Sequence, residues 1–197
     1  MKIYTDIQQN TPEWINLRLG KFTASKAQAI GNKGAGLETL AFEKVAEVLT
    51  GVSAEKEYSN VNMENGNDRE AEAVAAYELE TGIALTAVGF IEKDEHTGCS
   101  PDRLINTEGV VEVKCPSDPI FAKYLFFRKI DPAYEWQISM QLLITERKFA
   151  DFVVYNPNFK EKALQIVRVE RDEEKIEKLR IGLEWGVQRK LEILSKV

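Results

Sequence analysis

Cys99-Ser100-Pro101-Asp102-Arg103-Leu104-Ile105-Asn106-Thr107-Glu108-Gly109-Val110-Val111-Glu112-Val113-Lys114 is the stretch that decides the fold. Its last five residues alternate apolar and charged, the mark of a half-buried strand. Side chains on a strand alternate faces, so Glu112 and Lys114 share one face and Val111 and Val113 the other. Asn106-Thr107-Glu108-Gly109 is turn material and would fold Asp102 back beside Glu112. Two carboxylates then converge with one ammonium beside them. Such oxygen donors suit a hard divalent cation such as magnesium, which prefers octahedral geometry and keeps several waters. A metal there can lower the pKa of a water and neutralise charge on a phosphate. Lys114 would orient the attacking hydroxide or stabilise developing charge, so the implied chemistry is phosphodiester hydrolysis. The plainer alternative is a solvated strand face carrying a surface ion pair.

Two flanking segments extend the pattern. Gly66-Asn67-Asp68-Arg69-Glu70 leads into an Ala-rich run, Arg69 to Glu80, that reads as a helix stopped by Gly82. Ala73, Ala76, Tyr77 and Glu80 fall on one side of it. A helix ahead of the hairpin can aim an acid at the metal, and Glu70 is the candidate; otherwise Glu70, Glu72, Glu78 and Glu80 are solvated helix charges. After the hairpin, Ala133 to Gln141 reads as a helix on which Gln137 and Gln141, four apart, share a face. A glutamine there could hold the attacking water or a phosphate oxygen, or be a surface amide.

The Pro-Asp and Glu-Val-Lys spacing resembles the PD-(D/E)XK nuclease superfamily. Within it, the chain resembles the lambda-exonuclease and YqaJ-type viral recombinase family. The resemblance runs through Trp14, Arg18-Leu19-Gly20, Thr23-Ala24-Ser25, Gly66, Glu70, Cys99-Ser100-Pro101-Asp102, Glu112-Val113-Lys114-Cys115-Pro116, Ala133-Tyr134 with Gln137, and Tyr155-Asn156-Pro157. It implies an α/β fold with a restriction-endonuclease-like core, a mixed central sheet flanked by helices. It implies Glu70, Asp102, Glu112 and the Val113 carbonyl as metal ligands, Lys114 as the catalytic lysine and Gln137 as a supporting residue. Arg18 and Ser25 would hold the 5′ phosphate of a DNA end. The implied activity is magnesium-dependent (manganese as a substitute) 5′-to-3′ digestion of linear double-stranded DNA, releasing mononucleotides and leaving a 3′ single strand for recombination by annealing. A ring-shaped homotrimer threading DNA, and a phage single-strand annealing protein as partner, are implied as well. The chain is somewhat short for that family. An endonuclease or nickase on the same core is the alternative enzyme, and a non-catalytic DNA-binding scaffold the alternative class; the intact Asp102, Glu112 and Lys114 set argues against a scaffold.

The phosphate role has a physical account of its own. Thr23-Ala24-Ser25-Lys26 opens an expected helix, Ala24 to Ile30, whose N-terminal N–H groups favour an anion. Ser25 adds a hydroxyl and Arg18 a bidentate cation. On the structural alternative, Thr23 is a helix cap and Arg18 a surface cation.

With 197 residues, 44% hydrophobic and 29% charged, the chain can bury one core and is not disordered. We expect a single domain, 1–197. Neither a membrane-spanning run nor a signal-peptide core is visible, so the expectation is a cytoplasmic protein without membrane contact. Cys99 and Cys115 flank site residues, where a reducing compartment disfavours a disulfide. With His96 the sole histidine, zinc or histidine-based catalysis has little support, and His96 reads as a loop residue. A net charge of −6 is unusual for a general nucleic-acid binder, so DNA contact would need a locally basic surface. Lys21, Lys26, Lys33, Lys123, Arg128 and Lys129 are its candidates.

Further along the chain the pattern predicts helices over Thr11–Leu19 and Leu37–Leu49, the latter with Val48 and Leu49 in its apolar stripe and Gly51 as cap. Val52–Met63 reads as a polar surface loop. Ala84–Glu92 and Gly98–Asn106 read as strands, Ile120–Arg128 as a helix, and Phe149–Tyr155 with Ala163–Val169 as paired late strands. A last helix, capped by Asp172, would turn Ile176, Leu179, Leu183, Val187, Leu191 and Leu194 inward.

Overall fold

The computed structural model describes residues 1–54 and 61–197, with 61–68 as helical backbone. Its strands are β1 (Lys2–Tyr4), β2 (Phe22–Thr23), β3 (Thr86–Ala87), β4 (Phe90–Glu92), β5 (Thr97–Cys99), β6 (Arg103–Ile105), β7 (Gly109–Lys114), β8 (Phe149–Tyr155) and β9 (Leu164–Glu170). The helices are α1 (Pro12–Arg18), α2 (Ala27–Asn32), α3 (Ala35–Thr50), α4 (Val61–Thr81), α5 (Asp118–Phe127), α6 (Pro132–Thr145) and α7 (Glu173–Leu194). Among the described residues the strands form two mixed sheets, a four-stranded one ordered β1-β4-β5-β2 and a five-stranded one ordered β3-β6-β7-β8-β9. The fold is mixed α/β, as the sequence predicts. No helix of the described residues is long and apolar enough to cross a membrane.

The two strands expected over 84–92 and 98–106 each divide, and their halves join different sheets. At the first break a Cβ on Gly89 would lie 1.9 Å from the Ile7 carbonyl oxygen, so only glycine lets the chain pass there. At the second stands Pro101, which has no N–H to give to a ladder. The N-terminal segment ties both breaks together. Gln9 Nε2 donates to the carbonyls of Val88 and Pro101, and the Trp14 indole N–H to the Gly89 carbonyl and the Ser100 hydroxyl. Asp102 therefore leaves a pinned corner.

β7 lies between antiparallel β6 and parallel β8, with Arg103 opposite Val111 and Glu112 opposite Phe152. A parallel pair needs a long crossover, and α5 and α6 supply it. On one face of the sheet Val110 joins the main core with α2, α3, α6 and α7; on the other, Val111 and Val113 pack with Ala73 and Tyr77 of α4. The strand is thus buried on both faces rather than half-buried, because helices cover both sides.

Local signals place most helix ends. The Thr11 hydroxyl caps α1 by accepting from the Trp14 N–H, and Asp172 caps α7 by accepting from that of Lys175. Gly51 ends α3 at φ +68°. Four expectations are corrected. α4 begins at Val61 rather than Arg69, so the predicted loop's last residues are helical, while 55–60 lie outside the described residues. Gly66 falls within that early helical backbone. Val48 and Leu49 face solvent, since α3 packs through Leu37, Leu40, Ala41, Lys44 and Val45. In α7 Leu191 is exposed, and Lys190 and Ile193 turn inward instead. Lys21 is buried against Glu92 and the Glu95 carbonyl, which removes it from any DNA-facing surface.

Candidate active site

The hairpin brings the two strand acids together. Beyond the last ladder pair, the Asp102 N–H donates to the Val111 carbonyl at 3.1 Å, and Asp102 Oδ2 accepts from the Val113 N–H at 2.6 Å. Asp102 is half-buried, and its carboxyl sits well above the ordinary carboxylate range. Burial is the first cause, followed by the charges of Glu112 and Glu70; Lys114 and the Val113 N–H oppose them.

Glu112 is only 1% exposed, and both its oxygens are engaged. Oε1 accepts from Lys114 Nζ and Gln137 Nε2, and Oε2 from Gln141 Nε2, each at 2.6 Å. The shared face of Gln137 and Gln141 is as the spacing predicts, because α6 lies across the polar side of β7. Lys114 Nζ also sits 4.9 Å from the Tyr134 ring centroid, a cation–π distance. Burial works against the Lys114 charge, but Glu112 and Asp102 outweigh it and hold its pKa above the ordinary lysine range.

Glu70 reaches the same corner from α4, where its Oε1 accepts from Arg103 Nη1 at 3.0 Å. Arg103 also donates to the Asp102 carbonyl at 2.5 Å. Arg103 had no sequence signal as a site residue; its role depends on a contact 33 residues away. Gln141 had one, its spacing from Gln137. It is fully buried, and its Oε1 has no hydrogen-bond partner. The Cys115 thiol, beside the site, is pushed up to about 11 by burial first and then by Glu70 and Asp102. Cys99 and Cys115 are both free thiols.

Arg18 ends α1 with its guanidinium 4.1 Å from the Trp14 ring centroid. Trp14 in turn donates to Ser100, two residues before Asp102, so Arg18 is anchored near the acids. Ser25 is exposed, with its hydroxyl 3.2 Å from that of Thr23. The helix expected over Ala24–Ile30 is instead a 3-10 turn, Ala24–Lys26, followed by α2. The break weakens any dipole argument at Ser25, because few aligned peptides stand behind it. His96 lies in the bend before β5, with Nδ1 3.0 Å from Lys190 Nζ.

Among the described residues no three acidic, histidine or cysteine side chains form a ready-made metal cage. Magnesium does not require one, since one or two carboxylates and waters suffice. The donor set fits it: Asp102 and Glu112 offer only oxygen, and burial first, then the Glu112 charge, raise Asp102 despite the Lys114 ammonium. A cation would relieve the repulsion between the two acids.

A strand-borne acid pair and lysine, carried on a mixed sheet flanked by helices, define a PD-(D/E)XK-type nuclease fold. Residues 13–148 match the YqaJ-like viral recombinase domain, and the chain belongs to that family. It is similar to an alkaline exonuclease from Laribacter hongkongensis, LHK-Exo, with 29% identity and a TM-score of 0.84 over 94% of this chain and 95% of that one. The complex of LHK-Exo with dAMP matches at 31% identity and a TM-score of 0.85, over the same shares of both chains. This chain and LHK-Exo thus match over nearly the whole of both. A phage-related exonuclease from Haemophilus somnus 129PT shares the fold at 17% identity and a TM-score of 0.66, over 89% of this chain and 96% of that one. No curated protein matches the chain.

Proposed function

We propose that the chain is a magnesium-dependent exonuclease that digests linear double-stranded DNA 5′ to 3′ to mononucleotides, leaving a 3′ single strand. Family membership supports the nuclease class. The observation that carries the reading is the meeting of Asp102, Glu112 and Lys114, with Gln137 on Glu112. Asp102, Glu112 and the Val113 carbonyl, with Glu70 in reserve behind Arg103, would hold the metal. When bound, magnesium supplies Lewis acidity and charge neutralisation at the phosphate. Lys114 keeps its proton and lies on the polar face with Glu112, so its ammonium can orient the attacking water and stabilise charge that grows on the phosphate. Gln137 fixes the Glu112 carboxylate. Arg18, stacked on Trp14, and Ser25 would receive the 5′ phosphate.

A ring-shaped homotrimer and a single-strand annealing partner belong to the same reading and rest on the family resemblance; a cytoplasmic location belongs to it too, and rests on the sequence pattern alone. Incubation of linear and covalently closed circular DNA with Mg²⁺ tests the activity. The expected result is digestion of the linear form alone, faster with a 5′ phosphate than a 5′ hydroxyl. Cleavage of the circle would make the chain an endonuclease, and cleavage of neither would leave a scaffold. Equal rates on both kinds of 5′ end would remove the Arg18–Ser25 pocket.

A further inference from the structure

We propose that the C-terminal end of α5 is a stacking surface for an unpaired DNA strand. The inference rests on the exonuclease reading above. α5 follows Lys114 after only Cys115-Pro116-Ser117. Asn156 ties this link to β8, because its Nδ2 donates to the Pro116 carbonyl at 3.1 Å and to Asp118 Oδ1 at 2.9 Å. The helix is held from beneath by Phe121, whose ring packs on that of Phe159 at 4.7 Å. Its outer side carries exposed aromatic rings. Phe126 is 80% exposed and Phe127 55%, the two most exposed of the described phenylalanines. Their rings meet edge to face at 4.9 Å, so each braces the other in a fixed pose.

The charge around them favours a polyanion. Lys123, Arg128 and Lys129 flank the rings, and Lys160 and Lys162 stand on the turn that carries Phe159. Arg128 donates to Gln165, which donates to the Lys162 carbonyl, so helix end and turn form one ridge. Three acids lie in the same segments. Asp118 is engaged by Asn156 and Asn158, Asp131 caps α6, and Glu161 is exposed. Five cations against three acids reverse the sign of a chain whose net charge is −6. Exposed aromatic faces among lysines and arginines are what single-stranded nucleic acid needs, since every base offers a face to stack and the cations follow the backbone.

The test measures binding of a fluorescein-labelled oligothymidylate in EDTA by anisotropy, at one fixed salt concentration, for the full chain and for Phe126→Ser/Phe127→Ser. Both rings are exposed, so the variant keeps its melting temperature. Affinity should fall about tenfold or more per ring, and Phe126→Trp should retain it. Lys123→Glu/Lys129→Glu should weaken binding at that salt concentration and, when the titration is repeated over a series of salt concentrations, flatten its salt dependence. Unchanged affinity in the double serine variant overturns the surface. So does a lower assembly mass by light scattering with affinity intact, which would assign the rings to contact between copies. A wild-type protein that binds the oligonucleotide through these rings yet cleaves no linear DNA would instead overturn the exonuclease reading alone.

Discussion

Gln141→Leu separates a residue that fixes Glu112, the proposed metal ligand, from one that merely fills the core. Gln141 is fully buried, and its amide donates to Glu112 Oε2 at 2.6 Å. A hydrogen bond to a charged group contributes about 1.5–3 kcal/mol. The same amide buries an Oε1 without a partner, a desolvation cost of about 1–3 kcal/mol that leucine removes. The two nearly cancel, so stability should change by no more than about 1 kcal/mol. Metal binding has no such cancellation. Without Gln141, Glu112 is held only through Oε1, by Lys114 and Gln137, and its carboxylate can rotate. Loss of a partner that orients a ligand costs about 10–100-fold in metal affinity or activity. The assay is single-turnover cleavage of a labelled duplex as a function of Mg²⁺, beside a thermal melt in EDTA. A 10–100-fold shift in the Mg²⁺ half-saturation with little change in Tm is expected. A raised Tm with an unmoved half-saturation would make Gln141 a packing residue and refute the reasoning.

Three further outcomes are expected. Burial, then Glu112 and Glu70, hold the Asp102 carboxyl above its ordinary 3.8, so the folded metal-free protein binds a proton that the unfolded chain releases. Stability from this group is complete at low pH and lost as pH rises through the raised value. Asp102→Asn should therefore abolish cleavage yet raise the Tm in EDTA, by more at about pH 8 than at about pH 4; a fall at both would contradict this. Tyr77→Phe removes a 2.6 Å bond to Asp151, an acid that also pairs with Arg168, and should lower the Tm by roughly 3–12 °C. Burial and Asp151 hold the Tyr77 phenol above its ordinary range, so its contribution fades only in strong alkali, and a variant unchanged in melting at pH 7 would show the bond to be inert. Gly182→Ala would place a Cβ 2.1 Å from the Ile30 carbonyl oxygen where α7 meets α2, at a cost of about 1–3 kcal/mol by denaturant unfolding.

What the sequence reveals here is what short-range chemistry controls. The hairpin from Arg103 to Lys114 could be read because alternation and turn residues act within a dozen positions. The same holds for the Asp172 cap and for the pairing of β8 with β9. Gln137 and Gln141 could be read because helical spacing fixes their common face. The divided strands could not, since the breaks depend on Ile7, Gln9 and Trp14 arriving from a distant segment. Nor could the pairing of Glu70 with Arg103, or the burial of Lys21, because a charged side chain gives no local sign that a partner waits elsewhere.

The two strand acids are treated unequally, and the inequality has a physical consequence. Three side-chain donors fix Glu112, while Asp102 receives one backbone N–H through Oδ2. Glu112 is thus a positioned anion whose charge is already shared, and Asp102 the one whose charge the fold leaves unbalanced. An entering cation would gain most at Asp102 and find its geometry set by Glu112. Both glutamines stand on the Glu112 side, so removing either should first disturb where an entering cation would sit. Changing Asp102 should first disturb whether it binds at all.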